Sequence, residues 1–101
     1  FPRHIEEAVM KHPAVSEVIV MGIPDEEKGE AVKAFIVLKP GQKVSAEGLH
    51  GFLKDKLVHY ETPRSKNIEF REELPKTMIG KPDRKALKAE EKAKREGGPK
   101  L

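Results

Sequence analysis

VIVMGI at residues 18–23 and AVKAFIVL at residues 31–38 are the two stretches that decide the fold of this chain. Both are short, apolar and rich in β-branched residues, which is typical of buried strands. The turn-forming pair Pro24-Asp25 follows the first stretch, and Pro40-Gly41 follows the second. We therefore predict two strands, separated by a polar loop over residues 25–30, that pair at the centre of a sheet.

Two helices, each with one apolar face, are predicted along the chain, one before this strand pair and one after it. The first runs from Pro2 to His12, since apolar side chains recur there with the period of a helix and Pro13 marks a stop. The second begins after Ser45, a residue type favoured at the N-cap. It places four apolar side chains on one face: Leu49, Phe52, Leu53 and Leu57.

The rest of the chain adds a third strand and a basic helix. Residues 67–71 alternate polar and apolar side chains, which predicts a strand at the sheet edge with one buried side. A loop over residues 74–82 leads to a helix over residues 83–96, which offers few side chains for packing: Ala86, Leu87, Ala89 and Ala93. We therefore predict a small α+β domain, with a central sheet of about three strands flanked by helices.

Composition indicates a soluble domain and an anionic partner. The 101 residues suffice for one hydrophobic core, contain no cysteine and include no apolar stretch long enough to span a membrane, so we expect a cytoplasmic location. The net charge of +3 is unevenly distributed, because residues 74–101 hold nine Lys or Arg against four Asp or Glu, whereas residues 1–73 hold eleven against thirteen. A basic C-terminal third favours an anionic partner.

The residues alone do not assemble a complete catalytic site. The four histidines, at positions 4, 12, 50 and 59, have no metal-ligand spacing, and no serine stands in a nucleophile motif. The remaining candidate is LPKTMIGKPDR at residues 74–84, where Lys81 follows the permissive Gly80 and carries a compact charge suited to phosphate or carboxylate oxygens. On its spacing alone, an ordinary solvated loop is the better interpretation.

A series of short motifs changes that interpretation. The series comprises IEEAV at residues 5–9, HPAV at 12–15, GIPD at 22–25, KGE at 28–30, KAF at 33–35, Tyr60 with Pro63-Arg64, and LPKT at 74–77 with Gly80-Lys81. In this order and spacing the motifs resemble the C-terminal domain of the adenylate-forming superfamily of acyl-CoA synthetases. Within it, the chain looks most like the fatty acyl-CoA synthetases of medium or long chain type.

The resemblance implies a mobile lid on a larger ligase. In such enzymes a large N-terminal domain holds ATP, Mg²⁺ and the carboxylic acid, and the small domain closes over it in two orientations, first to form acyl-AMP and then to form acyl-CoA with release of AMP. Lys81 matches the adenylation lysine and is therefore the expected catalytic and ATP-binding residue. The positions expected to bind CoA are Lys28, Lys54, Thr62, Pro63 and Arg64.

The resemblance also implies how the chain is organised. We expect a lid over residues 1–87 and a charged, fraying helical tail over residues 88–101, and no catalysis without the large domain. Many relatives carry a lysine in place of Glu61 and a small polar pair in place of Met78 and Ile79. The apolar pair suggests either contact with an apolar surface when the lid closes or minor local packing. The Lys81 segment also resembles a pattern on which protein acetyltransferases act.

A small basic nucleic-acid-binding module is the alternative from another functional class. Its motivation is a run of cations: Lys81, Arg84, Lys85, Lys88, Lys92, Lys94 and Arg95. Glutamates interrupt the run, and it has no aromatic side chains on which bases stack. A solvated helix explains the run better, so we expect no nucleic acid partner.

Overall fold

Three helices and a three-stranded sheet make up the computed structural model, which describes residues 2–25, 29–58 and 61–97. In chain order the elements are α1 (Pro2–Met10), β1 (Val15–Asp25), β2 (Gly29–Leu38), α2 (Ala46–Lys54), a 3₁₀ turn (Ser65–Asn67), β3 (Ile68–Phe70) and α3 (Arg84–Gly97). The predicted α+β fold with a sheet of about three strands is therefore confirmed.

The sheet has the order β1-β2-β3. β1 and β2 pair antiparallel, as predicted, whereas β2 and β3 pair parallel. Because parallel neighbours need a crossover, the chain passes through α2 before it returns as β3 on the far side of β2. Only β2 is therefore central, and the prediction that both apolar runs lie at the centre is wrong for β1, which forms an edge. The predicted edge position of β3 is confirmed.

β1 is longer than its apolar run predicts. It continues through Pro24 and Asp25, which pair with Glu30 and Gly29. The prediction that Pro24-Asp25 ends the strand is therefore wrong. An edge strand tolerates proline because some of its N–H groups point away from the ladder.

The two predicted amphipathic helices are present, with shorter bounds. α1 ends at Met10 rather than His12. α2 begins after Ser45, whose hydroxyl oxygen accepts a hydrogen bond from the backbone N–H of Gly48 at 2.9 Å, so the predicted N-cap is confirmed. α2 ends at Lys54, and Leu57 is buried beyond its last turn.

The sheet separates two apolar clusters because side chains alternate along β2. Ala34 and Ile36 point to what we call the α1/α2 face, which is covered by the apolar sides of those helices. Phe35 and Val37 point to the opposite α3 face, where they pack with Ile19, Leu74 and Leu87. The larger cluster lies on the α1/α2 face: Ile5, Ala8, Val9, Val15, Val20, Ala34, Ile36, Leu49, Leu53, Leu57 and Ile68.

α3 packs through different residues from those predicted. Leu87 is fully buried, but Ala89 and Ala93 are exposed and Glu91 is buried in their place. The reason is Lys33, which lies on the α3 face of β2 and donates a hydrogen bond of 2.9 Å to Glu91 Oε1. A buried carboxylate is tolerated where a cation pairs with it. α3 also runs without a break across the predicted boundary at residue 88, and residues 98–101 lie outside the described part.

Candidate functional site

Lys81 follows the tip of a closed hairpin. The Thr77 N–H donates to the Lys81 carbonyl at 2.7 Å, and the Gly80 N–H donates to the Thr77 carbonyl at 2.9 Å. Gly80 has a φ of 84°. This pattern is that of a three-residue hairpin loop whose last residue is left-handed, a position that favours glycine. The backbone at Lys81 is therefore fixed by the residues that precede it.

The base of this hairpin is attached to the α3 face. Leu74 is buried in the cluster with Phe35 and Leu87, and Lys76 lies 2.9 Å from a carboxylate oxygen of Glu17 on β1. The strands of the hairpin also form a bridge between Lys76 and Pro82. These contacts hold the entry to the hairpin against the sheet.

The exit from the hairpin is clamped by Arg84, the first residue of α3. Its guanidinium donates to Glu6 Oε1 at 2.6 Å and to the Val20 carbonyl at 3.2 Å, while Glu6 Oε2 accepts from the Val20 N–H at 2.8 Å. The hydrogen bond with Glu6 raises the pKa of Arg84. Glu6 and Arg84 therefore tie α1 and the exposed edge of β1 to the segment that follows Lys81. The two residues are 78 positions apart, and no sequence pattern links them.

Lys81 itself is exposed. The chain thus presents a cation on a backbone held from both sides, an arrangement suited to entering a site formed by another body. Within the described residues, no group of three or more His, Asp or Glu side chains could hold a metal ion.

The predicted CoA residues gather beside α2. Lys54 is the exposed last residue of that helix. The Thr62 hydroxyl donates to the Val58 carbonyl at 3.0 Å. Pro63 is buried, and Arg64 is half-buried before the 3₁₀ turn. Lys28, the fifth predicted residue, lies outside the described residues.

His50 joins these residues to the helix. Its Nδ1 lies 2.9 Å from the Pro63 carbonyl and therefore donates to it. Since His50 and Lys54 are four residues apart on α2, they share a side of the helix. The structure thus brings four predicted residues to the α1/α2 side, while the Lys81 hairpin is attached to the α3 face. The sequence did not indicate His50; an α2 histidine one turn before Lys54 was the available signal.

Carboxylates hold two cations of the basic run on which the alternative interpretation rests. Arg84 is held by Glu6, and Lys94 lies 3.2 Å from Glu69 and 3.1 Å from Glu91. Hydrogen bonding to Glu91 raises the pKa of Lys94. Five lysines of the run are exposed, Lys94 included: Lys81, Lys85, Lys88, Lys92 and Lys94.

None of the described helices has the length and apolar character needed to cross a membrane.

The fold and the hairpin together define a class of domain. They describe a small α+β domain that displays an exposed lysine on one face and a basic, proline-containing turn on the other. The chain belongs to the family of AMP-binding enzyme C-terminal domains, whose model matches residues 4–81. The predicted family resemblance is therefore confirmed, and the match extends to Lys81 itself.

Individual relatives agree with the family. The chain is 47% identical over 91 residues to the long-chain-fatty-acid–CoA ligase of Bacillus subtilis (strain 168), a match that covers 90% of this chain and 16% of the relative. It is 44% identical over 100 residues to 4-hydroxybutyrate–CoA ligase 1 of Metallosphaera sedula, covering 96% of this chain and 17% of the relative. The crystal structure of the Brucella canis acyl-CoA synthetase superposes with a TM-score of 0.80 at 43% identity, covering 92% and 18% of the two chains. The chain thus spans about a sixth of the length of these relatives.

Proposed function

We propose that this chain is the closing lid of an AMP-forming acyl-CoA synthetase. The complete enzyme would convert a carboxylic acid and ATP to acyl-AMP and pyrophosphate, and then acyl-AMP and CoA to acyl-CoA and AMP. Membership of the C-terminal domain family supports this function, as does the similarity to two proteins named as CoA ligases. ATP, Mg²⁺ and the acid would be held by a large N-terminal domain, as in the resemblance above.

Lys81 is the residue that we assign to the first half-reaction. A carboxylate oxygen of the acid forms a bond to the α-phosphorus of ATP while the bond to pyrophosphate breaks, so negative charge builds up on the phosphoryl oxygens. The Lys81 ammonium would neutralise that charge in a closed site. The observation that carries this assignment is its position: an exposed lysine on a hairpin whose entry and exit are both tied to the sheet.

The turn beside α2 is the part that we assign to the second half-reaction. CoA carries several phosphate groups, and this side of the domain holds two cations, Lys54 at the end of α2 and Arg64 next to Pro63, with Arg64 able to contact phosphate oxygens bidentately. Thr62 already donates its hydroxyl hydrogen to Val58, so its oxygen is left to accept a hydrogen bond from CoA. Lys28 completes the proposed set. The thiol of CoA would then attack the acyl carbon, and AMP would leave.

A chimera tests the assignment of Lys81. The large domain of the Bacillus subtilis ligase is fused to this chain, and ATP–pyrophosphate exchange is measured across a panel of fatty acids. We expect Lys81→Ala to slow exchange about 100- to 1000-fold, while acyl-CoA formation from added acyl-AMP stays near the wild-type rate. Lys88→Ala, which removes an exposed lysine of α3, is the matched control. Normal exchange by the Lys81→Ala chimera would contradict the proposal.

Acetylation of Lys81 is a second consequence of its exposure. Acetylation would remove the positive charge that the adenylation step uses. We therefore propose Lys81 as the target of a protein acetyltransferase. Mass spectrometry of the native protein across growth conditions should find acetyl-Lys81, and a lysine that is never modified would argue against this regulation.

A further inference from the structure

The tip of the Lys81 hairpin carries two apolar side chains that contact almost nothing. Met78 is 104% exposed and Ile79 is 77% exposed, relative to reference values for each residue type. The other large apolar residues exposed in the described part, Met10, Val58 and Phe70, are exposed by half or less. Met78 and Ile79 are also adjacent, so they form one apolar tip rather than two isolated side chains.

The fold does not require apolar residues at this tip. The left-handed position of the loop is occupied by Gly80, and the two positions before it accept most residue types, polar ones above all. Met78 and Ile79 join neither apolar cluster of the domain. Leaving them in water forgoes the free energy that burial would supply. A gain from these side chains must therefore come from contact with another surface.

We infer that Met78 and Ile79 dock into an apolar recess on the large domain of the same enzyme, in the orientation that delivers Lys81. This inference rests on the proposed function. The hydrogen bonds between Thr77 and Lys81 fix the tip relative to the lysine backbone. Because all of these residues belong to one hairpin, a surface that receives Lys81 lies close to residues 78 and 79 as well. Seating the tip therefore positions the lysine for the adenylation step.

The test uses the chimera with the double substitution Met78→Ser and Ile79→Thr, which keeps Thr77, Gly80 and Lys81. We expect kcat/KM for pyrophosphate exchange to fall about tenfold or more, as expected when two large apolar side chains lose a buried contact. Acyl-CoA formation from added acyl-AMP should remain at the wild-type rate. The thermal midpoint should also be unchanged, because the side chains are exposed within this domain.

Met10→Ser is the matched control, since it also removes an exposed methionine, from α1 rather than from the hairpin. This control should exchange pyrophosphate at the wild-type rate. An equal loss from Met10→Ser would overturn the inference, and so would an equal loss of both half-reactions in the tip variant.

Failure of the inference can be told apart from failure of the proposed function. If Lys81→Ala abolishes exchange and the tip variant exchanges normally, the docking inference is wrong and the proposed function stands. If Lys81→Ala exchanges normally, the proposed function is wrong. Two further measurements examine other partners for the tip. If the tip variant loses self-association in sedimentation while exchange is intact, the tip binds a second copy of the chain and the inference is overturned. If it instead loses binding to phosphatidylcholine vesicles in flotation while exchange is intact, the tip binds a lipid surface, which also overturns the inference.

Discussion

The Lys81 hairpin and the turn at residues 62–64 differ in how far they project from the domain. The hairpin is held at its base by the buried Leu74 and by the ion pairs of Lys76 and Arg84, and its tip is exposed. The turn at residues 62–64 has its proline buried and is hydrogen-bonded to His50 of α2. The hairpin therefore projects from the domain, whereas the turn forms part of its packed surface.

The two segments also belong to opposite faces of the sheet. The hairpin is continuous with the α3 face, and the turn adjoins the α1/α2 face. In our proposal each face serves one half-reaction. On that proposal, the domain would have to change its orientation between the two steps.

Removing a core leucine from either face should give the largest loss of stability. Leu53→Ala on the α1/α2 face and Leu87→Ala on the α3 face each delete a fully buried side chain. We expect either change to lower the free energy of unfolding by about 2–5 kcal/mol. Urea titration followed by circular dichroism measures this loss.

The same two variants, assayed while folded, test whether the two faces serve different half-reactions. Leu87→Ala should slow pyrophosphate exchange more than CoA transfer, because Leu87 packs beside Leu74 at the hairpin base. Leu53→Ala should do the reverse. Equal effects of both variants on both steps would show that the faces are not functionally separate.

Removing the clamp at the hairpin exit should have the next largest effect. Arg84→Ala breaks the hydrogen bonds to Glu6 and Val20, and we expect the free energy of unfolding to fall by about 1–2 kcal/mol, a figure already reduced because Arg84 is half exposed. Arg3→Ala, which breaks an exposed pair with Glu7 at 3.8 Å, is the control and should cost well under about 0.5 kcal/mol. Equal costs in thermal unfolding would contradict a structural role for the clamp.

Two glycine substitutions should act in opposite directions. Gly80→Ala forces a side chain into the left-handed hairpin position and should cost about 1 kcal/mol, which lowers the ratio of closed to open loop about fivefold and exchange by up to that factor. Gly51→Ala lies inside α2, where an added methyl group meets no atom within 4 Å, and should stabilise the chain by about 0.5–1 kcal/mol. Thermal midpoints of both variants, with exchange assays, check the signs. A neutral Gly80→Ala would mean that the hairpin geometry is not needed.

Acid should destabilise the packing of α3 on the sheet, because paired carboxylates there lose their charge. Burial raises the pKa of Glu91, but hydrogen bonds from Lys33 and Lys94 outweigh burial and hold that pKa below its usual value; the pKa of Glu69 is lowered in the same way. A lowered folded-state pKa contributes stability above the unfolded pKa of about 4.3. That stability is lost as the pH falls through the folded pKa. The stability gap between wild type and Glu91→Gln should therefore shrink from pH 7 towards pH 3, and a constant gap would contradict this origin.

Local patterns predicted most of the fold. The apolar period of α1 and the cap at Ser45 each depend on neighbouring residues, and each appears in the structure. The alternation at residues 67–71 predicted the strand, but only Ile68 is buried and Phe70 is exposed, so the predicted buried side is wrong for Phe70. The extension of β1 through Pro24 was missed because edge position depends on strand order, which local patterns do not encode. Burial of Glu91 was missed because its partner is Lys33. A lysine within the apolar run of β2 was the signal for a buried carboxylate opposite it.

The candidate site likewise has a part that the sequence indicated and a part that only the structure reveals. Lys81 and the turn at residues 62–64 were indicated by resemblance to a family, since the spacing around Lys81 alone favoured a solvated loop. Gly80 predicted a permissive backbone position, and its φ of 84° confirms that prediction. The Glu6–Arg84 clamp and the contact of His50 with Pro63 join distant segments, so only the folded chain reveals them.

The most direct test of whether each face serves one half-reaction is to make one variant on each face of the chimera and to assay both half-reactions in each. Lys81→Ala should slow pyrophosphate exchange about 100- to 1000-fold and leave CoA saturation unchanged. The double charge reversal Lys54→Glu and Arg64→Glu should raise the KM for CoA at least about tenfold and leave pyrophosphate exchange unchanged. If both variants impaired the same half-reaction, or if the charge reversal left CoA saturation as in the wild type, the assignment of one step to each face would be wrong.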